Sequence, residues 1–230
     1  MAGRVFIAGA AGAIGWPLSR LLVADGWEVF GTTRSAEKAE RLHAIGVISV
    51  IVDVFDAAAL RAVVAAAKPS VVIHQLTDLP PGLDPAQMVE ARQRNARIRE
   101  EGTRNLVAAA IGAGAERLVA QSIAFAYAPG ARPLAETTPL DRSYASVASL
   151  ERQVLGAPMP GVVLRYGRLY GPGTGFDSGN GAPLHVDAAA DAARRAMTRG
   201  QGVYNIAEDD GEVDSSRAKA ELGWDAGFRI

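Results

Sequence analysis

Gly9-Ala10-Ala11-Gly12-Ala13-Ile14-Gly15 stands between a short apolar run, Arg4-Val5-Phe6-Ile7-Ala8, and a stretch of helical periodicity over 16–25. Strand, glycine turn and helix in that order form a phosphate-binding βα unit in which each glycine has its own steric task. Gly9 makes the tight turn, Gly12 lets the backbone approach a pyrophosphate, and Gly15 lets the helix pack closely on the strand. The unpaired N–H groups and positive dipole end of that helix, entered through Ala13 and Ile14, are where phosphates rest. The turn therefore implies a bound nucleotide cofactor.

Outward from this unit, apolar runs of strand length alternate with helical patterns. Strands are expected at 5–8, 28–32, 48–52, 71–74, 117–121 and 162–165, and helices near 16–25, 35–45, 57–68, 86–112 and 144–155. A helix near 187–199, a strand near 202–205 and a final helix around 216–222 follow. Strands that are apolar on both faces, separated by helices, call for an α/β fold: a Rossmann-like doubly wound parallel sheet with helices above and below. The expected organisation is one dinucleotide-binding domain over 1–230, with 171–230 contributing a reduced C-terminal region on the substrate side. The segment 171–181, with five glycines and a proline, reads as a flap or wall of the site.

Composition excludes several function classes. In 230 residues the formal net charge is −1, so no basic field suits nucleic acid or an anionic membrane surface. Cysteine is absent and His43, His74 and His185 lie far apart without ligand spacing, so no metal site is expected. Glu208-Asp209-Asp210 lacks the alternation of a calcium loop and reads as a solvated turn. No apolar run reaches the ~18 residues needed to span a bilayer, and the expected compartment is the cytoplasm.

Cofactor choice falls at the end of the second strand, where a carboxylate would bind the adenosine ribose and a basic group would favour a 2′-phosphate. Thr33 occupies the carboxylate position and Arg34 follows it, a planar fork of donors with no acid beside it. NADP(H) is thus expected ahead of NAD(H). Asp53 and Val54, past the third strand, are placed for the adenine edge. Gln75 and Leu76, past the fourth, should flank the cofactor, because ligands sit outside the carboxyl ends of such strands.

Further motifs follow in order: Gly102-Thr103-Arg104-Asn105-Leu106, Leu164-Arg165-Tyr166-Gly167 leading into Tyr170-Gly171-Pro172-Gly173, His185-Val186-Asp187, Tyr204-Asn205-Ile206 and Glu221-Leu222-Gly223-Trp224. With the glycine turn, they make the chain resemble the NAD-dependent epimerase/dehydratases, the extended or atypical branch of the short-chain dehydrogenase/reductase superfamily. The resemblance implies a Tyr-x-x-x-Lys pair on the fifth helix and a hydroxyl after the fifth strand, with Tyr170 beside the cofactor. Tyr144 is the nearby tyrosine, but Ala148 stands four residues on. If Glu151 is matched to the family's helix acid, Ser143 and Val147 take the two columns. The hydroxyl column falls on Ile123, beside Ser122, and the asparagine expected before Gly102 is Arg99, with Asn95 one turn earlier.

Tyr144 and Ser122 are accordingly the catalytic candidates. A tyrosine with no cation beside it donates a proton at neutral pH but is a poor base. The resemblance and the intact cofactor half imply an oxidoreductase, or an epimerase/dehydratase-like enzyme, acting on a small carbonyl or hydroxyl substrate. The alternative is a non-catalytic NADP(H)-binding sensor or scaffold. Fewer residues follow the sixth strand than nucleotide-sugar members use, which argues against such a substrate. The family often pairs through its fourth and fifth helices. Arginines at 92, 94, 97, 99 and 104 oppose a dry seam there, so a monomer or weak homodimer is expected.

Overall fold

The computed structural model describes residues 3–230. Seven strands form one sheet: β1 (Arg4–Ala8), β2 (Glu28–Thr33), β3 (Ile48–Ile51), β4 (Val71–His74), β5 (Arg117–Ile123), β6 (Gly161–Tyr166) and, late in the chain, β9 (Gly202–Ile206). Their order is β3-β2-β1-β4-β5-β6-β9 with every pairing parallel. The order reverses between β1 and β4, which opens a crevice at the carboxyl ends of those strands.

Alternation along the strands divides the core into two layers. Val5, Ile7, Val71, Ile73, Val119, Val162 and Leu164 face one side. There they meet Leu18 and Leu22 of α1 (Gly15–Ala24), Leu42 of α2 (Ala36–Ala44) and the alanines of α7 (Val186–Ala196). Phe6, Ala8, Val72, Leu118, Ala120 and Val163 face the other. They pack on Leu60 and Val64 of α3 (Ala57–Ala67), Leu106 of α5 (Thr103–Gly112), and Leu150 and Val154 of α6 (Ala145–Leu155). Strands buried on both faces need apolar side chains at every position, which is why the sequence shows continuous runs.

The helix expected over 86–112 is interrupted. α4 (Met88–Arg97) passes into a π turn, Ile98–Gly102, before α5 begins. Gly102 belongs there because a Cβ would come 3.2 Å from Val54 Cγ1. Two short strands that periodicity did not show, β7 (Arg168–Tyr170) and β8 (Pro183–His185), pair in parallel and frame the 171–181 loop. The final helix lies where expected, over 216–222, its last five residues Ala218–Leu222 forming a π turn. The C-terminal stretch is not a separate lobe: β9 extends the main sheet beside β6, and Trp224 Nε1 donates to the carbonyl of Ala188 at 2.8 Å. Among the described residues no helix is long and apolar enough to cross a membrane.

Candidate active site

A cleft of about 500 Å³ opens at the reversal point of the strand order. The structure brings Gly9, Gly12, Thr33, Arg34, Asp53, Val54, Gln75 and Leu76 together in its wall. The three glycines differ physically. Gly9 has φ +91°, and a Cβ there would lie 2.7 Å from the Gln75 carbonyl oxygen. At Gly15 a Cβ would lie 2.2 Å from the Gly9 carbonyl oxygen. Both positions therefore require glycine for the fold itself. At Gly12 the nearest atom would be 3.4 Å away, so the fold itself leaves room there and does not demand glycine. Ile14 supplies no side-chain cap to α1; within the helix Trp16 N already bonds the Gly12 carbonyl at 2.9 Å and Pro17 has no N–H, so the N–H groups open to an anion are those of the turn leading into it. Thr32 Oγ1 accepts a 3.0 Å hydrogen bond from Gly9 N and braces the turn.

Two observations test whether a dinucleotide fits. One is the cradle at Gly12. The other is Gln75, buried in the wall: Nε2 donates to Tyr166 Oη at 3.2 Å, while Oε1 has no partner among the described residues. An orphaned buried acceptor of this kind needs a ligand or water donor. Thr33 Oγ1 accepts from Ser35 N at 3.2 Å, and Ser35 Oγ caps α2 by accepting from Lys38 N at 3.3 Å. Arg34, Ser35 and Lys38 thus share one corner of the cleft. Ser35 and Lys38 carry no motif and were not foreseen; Lys38 follows Arg34 by four residues, a spacing that brings α2's first turn to the same corner. The expectation of no acid beside Arg34 is corrected by the fold: the side chain is 61% exposed and Asp78 Oδ2, from the loop after β4, lies 3.5 Å away, an acid 44 residues off in sequence. Asp53 Oδ1 accepts from Phe55 N at 2.9 Å, capping the turn that presents Asp53 and Val54 to the cleft.

The substrate side is different. Tyr144 closes the 3₁₀ turn Arg142–Tyr144, whose Asp141 cap holds Ser143 N at 2.8 Å, and it leads into α6. It is half-buried, and its hydroxyl has no hydrogen-bond partner among the described residues. Ser122 is committed elsewhere, its Oγ donating to Glu151 Oε1 at 2.6 Å. Glu151 is itself gripped by Arg165, with Nε 2.9 Å from Oε1 and Nη2 2.7 Å from Oε2, all of it buried. Burial alone would weaken the Arg165 charge, but Glu151 more than offsets this and holds its pKa above the ordinary value. Arg165 also lies over the Tyr127 ring at 4.8 Å, and Tyr127 Oη donates to Asn205 Oδ1 at 2.5 Å. This network joins β5, β6, β9 and α6. A proton drawn from Ser122 would leave an anion against a carboxylate.

Tyr170 is not brought to the cleft wall. Its hydroxyl donates to Glu208 Oε1 at 2.7 Å and its ring meets His185 edge-on at 5.1 Å. The approach to the phosphate turn comes from Gly173 of the same loop, where a Cβ would lie 3.7 Å from Ala13 Cα. The acidic run is a turn after β9 with Asp209 and Asp210 exposed, as expected, but it also has structural partners: Glu208 accepts from His185 N at 3.3 Å and Asp210 Oδ2 from Ala182 N at 2.6 Å. Both acids pin the ends of the glycine-rich loop.

His74 ends β4, fully buried. Its Nδ1 accepts from Leu76 N at 3.3 Å and its Nε2 pairs with Thr103 Oγ1 at 3.1 Å, which assigns the proton to Nε2. Burial drives its pKa down to about 4, so the ring is neutral at pH 7. Asn95 is a structural clamp on the 77–80 loop: Oδ1 accepts from Asp78 N at 3.1 Å, and Nδ2 donates to Asp78 O at 3.0 Å and Ala91 O at 2.8 Å.

The NAD dependent epimerase/dehydratase family matches residues 5–201. A curated relative, a 3-diazoavenalumate denitrifying reductase from a Streptomyces species, is 46% identical over 193 residues, which is 80% of this chain and 62% of that protein's length. Among solved structures, the Thermus thermophilus UDP-glucose 4-epimerase complex with NAD superposes with TM-score 0.82 at 21% identity, covering 99% of this chain and 95% of that one. The Thermotoga maritima UDP-glucose 4-epimerase with UDP-glucose gives 0.78 at 18%, covering 98% and 94%. Likeness at that level of identity speaks for the fold alone.

Proposed function

The chain belongs to the NAD-dependent epimerase/dehydratase family, and on that premise we propose that it is an NADP(H)-dependent reductase of a small electrophile. The observation that carries the reading is the contrast at Arg34, Ser35 and Lys38. Two basic residues and a helix cap stand where a ribose-binding carboxylate would otherwise be, a corner suited to a 2′-phosphate. When bound, the cofactor supplies hydride equivalents. The chain's part is to hold the pyrophosphate at Gly12 and the N–H groups of the turn leading into α1, to meet the 2′-phosphate with Arg34 and Lys38, and to offer Gln75 Oε1 as an acceptor.

The acceptor group follows from what the substrate side lacks. Ala148, or Val147 in the register that matches Glu151, occupies the place where the family carries its lysine, and Ser122 is bound to Glu151. Carbonyl reduction needs a proton delivered to oxygen, and only Tyr144 of the two candidates has a hydroxyl uncommitted among the described residues. A diazonium group is already cationic. Its reduction, R–N₂⁺ + H⁻ → R–H + N₂, balances without a proton and needs no Tyr-Lys pair. The relative's name describes loss of nitrogen from a diazo-substituted carboxylate. We therefore favour a diazo or diazonium acceptor, with a small carbonyl compound reduced through Tyr144 as the second reading.

The test combines cofactor titration with an acceptor panel. NADPH should bind more tightly than NADH, and Arg34→Asp should weaken NADPH by about 2–3 kcal/mol with little change for NADH. Aryl diazonium carboxylates should consume NADPH and release dinitrogen, while aldehydes and ketones turn over slowly. Equal affinity for the two cofactors would sink the 2′-phosphate assignment. A panel with no turnover at all would return the chain to the role of a cofactor-binding sensor.

A further inference from the structure

Thr33 denies the second-strand terminus the carboxylate that would bind a ribose, but folding returns one to that corner. Asp78, in the loop after β4, places Oδ2 3.5 Å from Arg34 Nη2. Its backbone is fixed. Asn95 of α4, itself buried, accepts from Asp78 N at 3.1 Å and donates to Asp78 O at 3.0 Å, and a bond to Ala91 O ties the clamp to its own helix. Both main-chain groups of residue 78 are thereby engaged, while its carboxylate takes no part in the clamp.

A second cation addresses the same oxygen. Arg94 Nε, from the residue before Asn95, lies 3.3 Å from Asp78 Oδ2, and Arg94 Nη1 lies 3.7 Å from Glu90 Oε2. At 3.3 and 3.5 Å neither contact reaches the ~2.7–2.9 Å of a charge-assisted hydrogen bond, so the two guanidiniums share the carboxylate by charge and not by directed bonds. A partly exposed pair of this kind is weak, which leaves Arg34 able to turn to a ligand. Ser35 and Lys38 line the cleft with it. A 2′-phosphate gripped by Arg34 would stand about one guanidinium's width from Asp78, and like charges at that range oppose one another. A ribose 2′-hydroxyl meets no such opposition.

We infer that Asp78 is a specificity-determining residue of the cofactor site: its carboxylate opposes a 2′-phosphate at Arg34 and narrows the margin between NADP(H) and NAD(H), while Arg94 offsets it by drawing on the same oxygen. This deepens the NADP(H) reading and rests on it for the occupant of the corner. The carboxylate missing from the second strand is supplied across the cleft mouth, at a place where it acts on the phosphate through its field.

The experiment reads binding without turnover, by calorimetry of 2′,5′-ADP and 5′-AMP, which differ only in the 2′-phosphate. Asp78→Asn keeps the backbone that Asn95 holds and removes only the charge. It should tighten 2′,5′-ADP by about 3- to 10-fold and change 5′-AMP by less than about twofold. The gain should shrink when NaCl is raised from about 0.05 to 0.5 M, because the charges are partly exposed. Arg94→Met should weaken 2′,5′-ADP by about 2- to 5-fold, since Asp78 then bears on the corner uncompensated. An asparagine variant that binds 2′,5′-ADP no more tightly, that tightens both ligands alike, or whose gain ignores salt would overturn the inference. A methionine variant that keeps full 2′,5′-ADP affinity would overturn the part given to Arg94. If the unaltered chain binds both ligands equally, the NADP(H) reading fails, yet a tilt toward 2′,5′-ADP in Asp78→Asn would still uphold the role of Asp78. A clear preference for 2′,5′-ADP that Asp78→Asn leaves unmoved would do the reverse.

Discussion

The stretch from Arg4 to Val54 and the groups that face it from β4, β5, α5 and α6 are built by opposite rules. On the cofactor side, each demand is local. A turn must reach φ +91° at Gly9, a helix must start where a Cβ on Gly15 would lie 2.2 Å from the Gly9 carbonyl oxygen, and a strand must end at Thr33 and run into Arg34-Ser35. On the substrate side the decisive atoms come from segments tens of residues apart. Ser122 is disposed of by Glu151, and Tyr170 by Glu208. Local demands leave a signature in composition; long-range pairings leave none. The same catalytic residue types can therefore be present and yet be spent on holding strands together.

The largest expected effect tests the cofactor side against itself. Gly12→Val should reduce NADPH affinity by ~10³-fold or more, since the side chain fills the pyrophosphate cradle, while the melting temperature shifts by only a few degrees. Gly15→Ala should do the reverse in kind, lowering stability by about 3 kcal/mol because its Cβ strikes backbone. Parallel calorimetry and thermal melts check both, and a Gly12→Val protein that binds normally would make the turn merely structural.

An intermediate effect belongs to the seam between the two sides, where His74 pairs with Thr103. Its folded pKa, about 4, lies below the ordinary 6.5. The unfolded chain therefore takes up the proton first, and stability should fall as pH drops from about 6.5 toward 4, by about 3 kcal/mol at most, and then level off for this group. Urea unfolding at pH 7.5, 5.5 and 4.5 measures the slope. His74→Gln should flatten it, and an unchanged slope would place the acid sensitivity elsewhere.

The smallest effect is expected at Tyr144. If the acceptor is a diazonium group, Tyr144→Phe should change its reduction by less than about threefold, because no proton is required at the reacting atom. Any carbonyl turnover should fall by ~10²-fold or more in the same variant. Steady-state rates on both acceptor classes sharpen the comparison: a large loss on the diazonium substrate would restore the proton donor to the substrate side.

The strands and their alternation with helices were legible because burial on both faces forces continuous apolar runs, as in Val71-Val72-Ile73, whereas the place where the strand order reverses came from the structure. The break inside the 86–112 helix was not legible either, since Ile98 to Gly102 keeps helical dihedrals and its residues carry no breaker but glycine. β7 and β8 escaped because three residues are too few to show a period. The sequence alone determined a doubly wound α/β chain with a dinucleotide turn and a basic second-strand terminus, all consequences of steric and burial demands met within a few residues. Only the tertiary structure decided that Ser122 is tied to the buried Glu151–Arg165 pair, that Tyr170 turns to Glu208, and that Asn95 clamps the 77–80 loop. Those outcomes depend on which charges the folded chain brings within hydrogen-bond reach, a property of distance through space to which distance along the chain is blind.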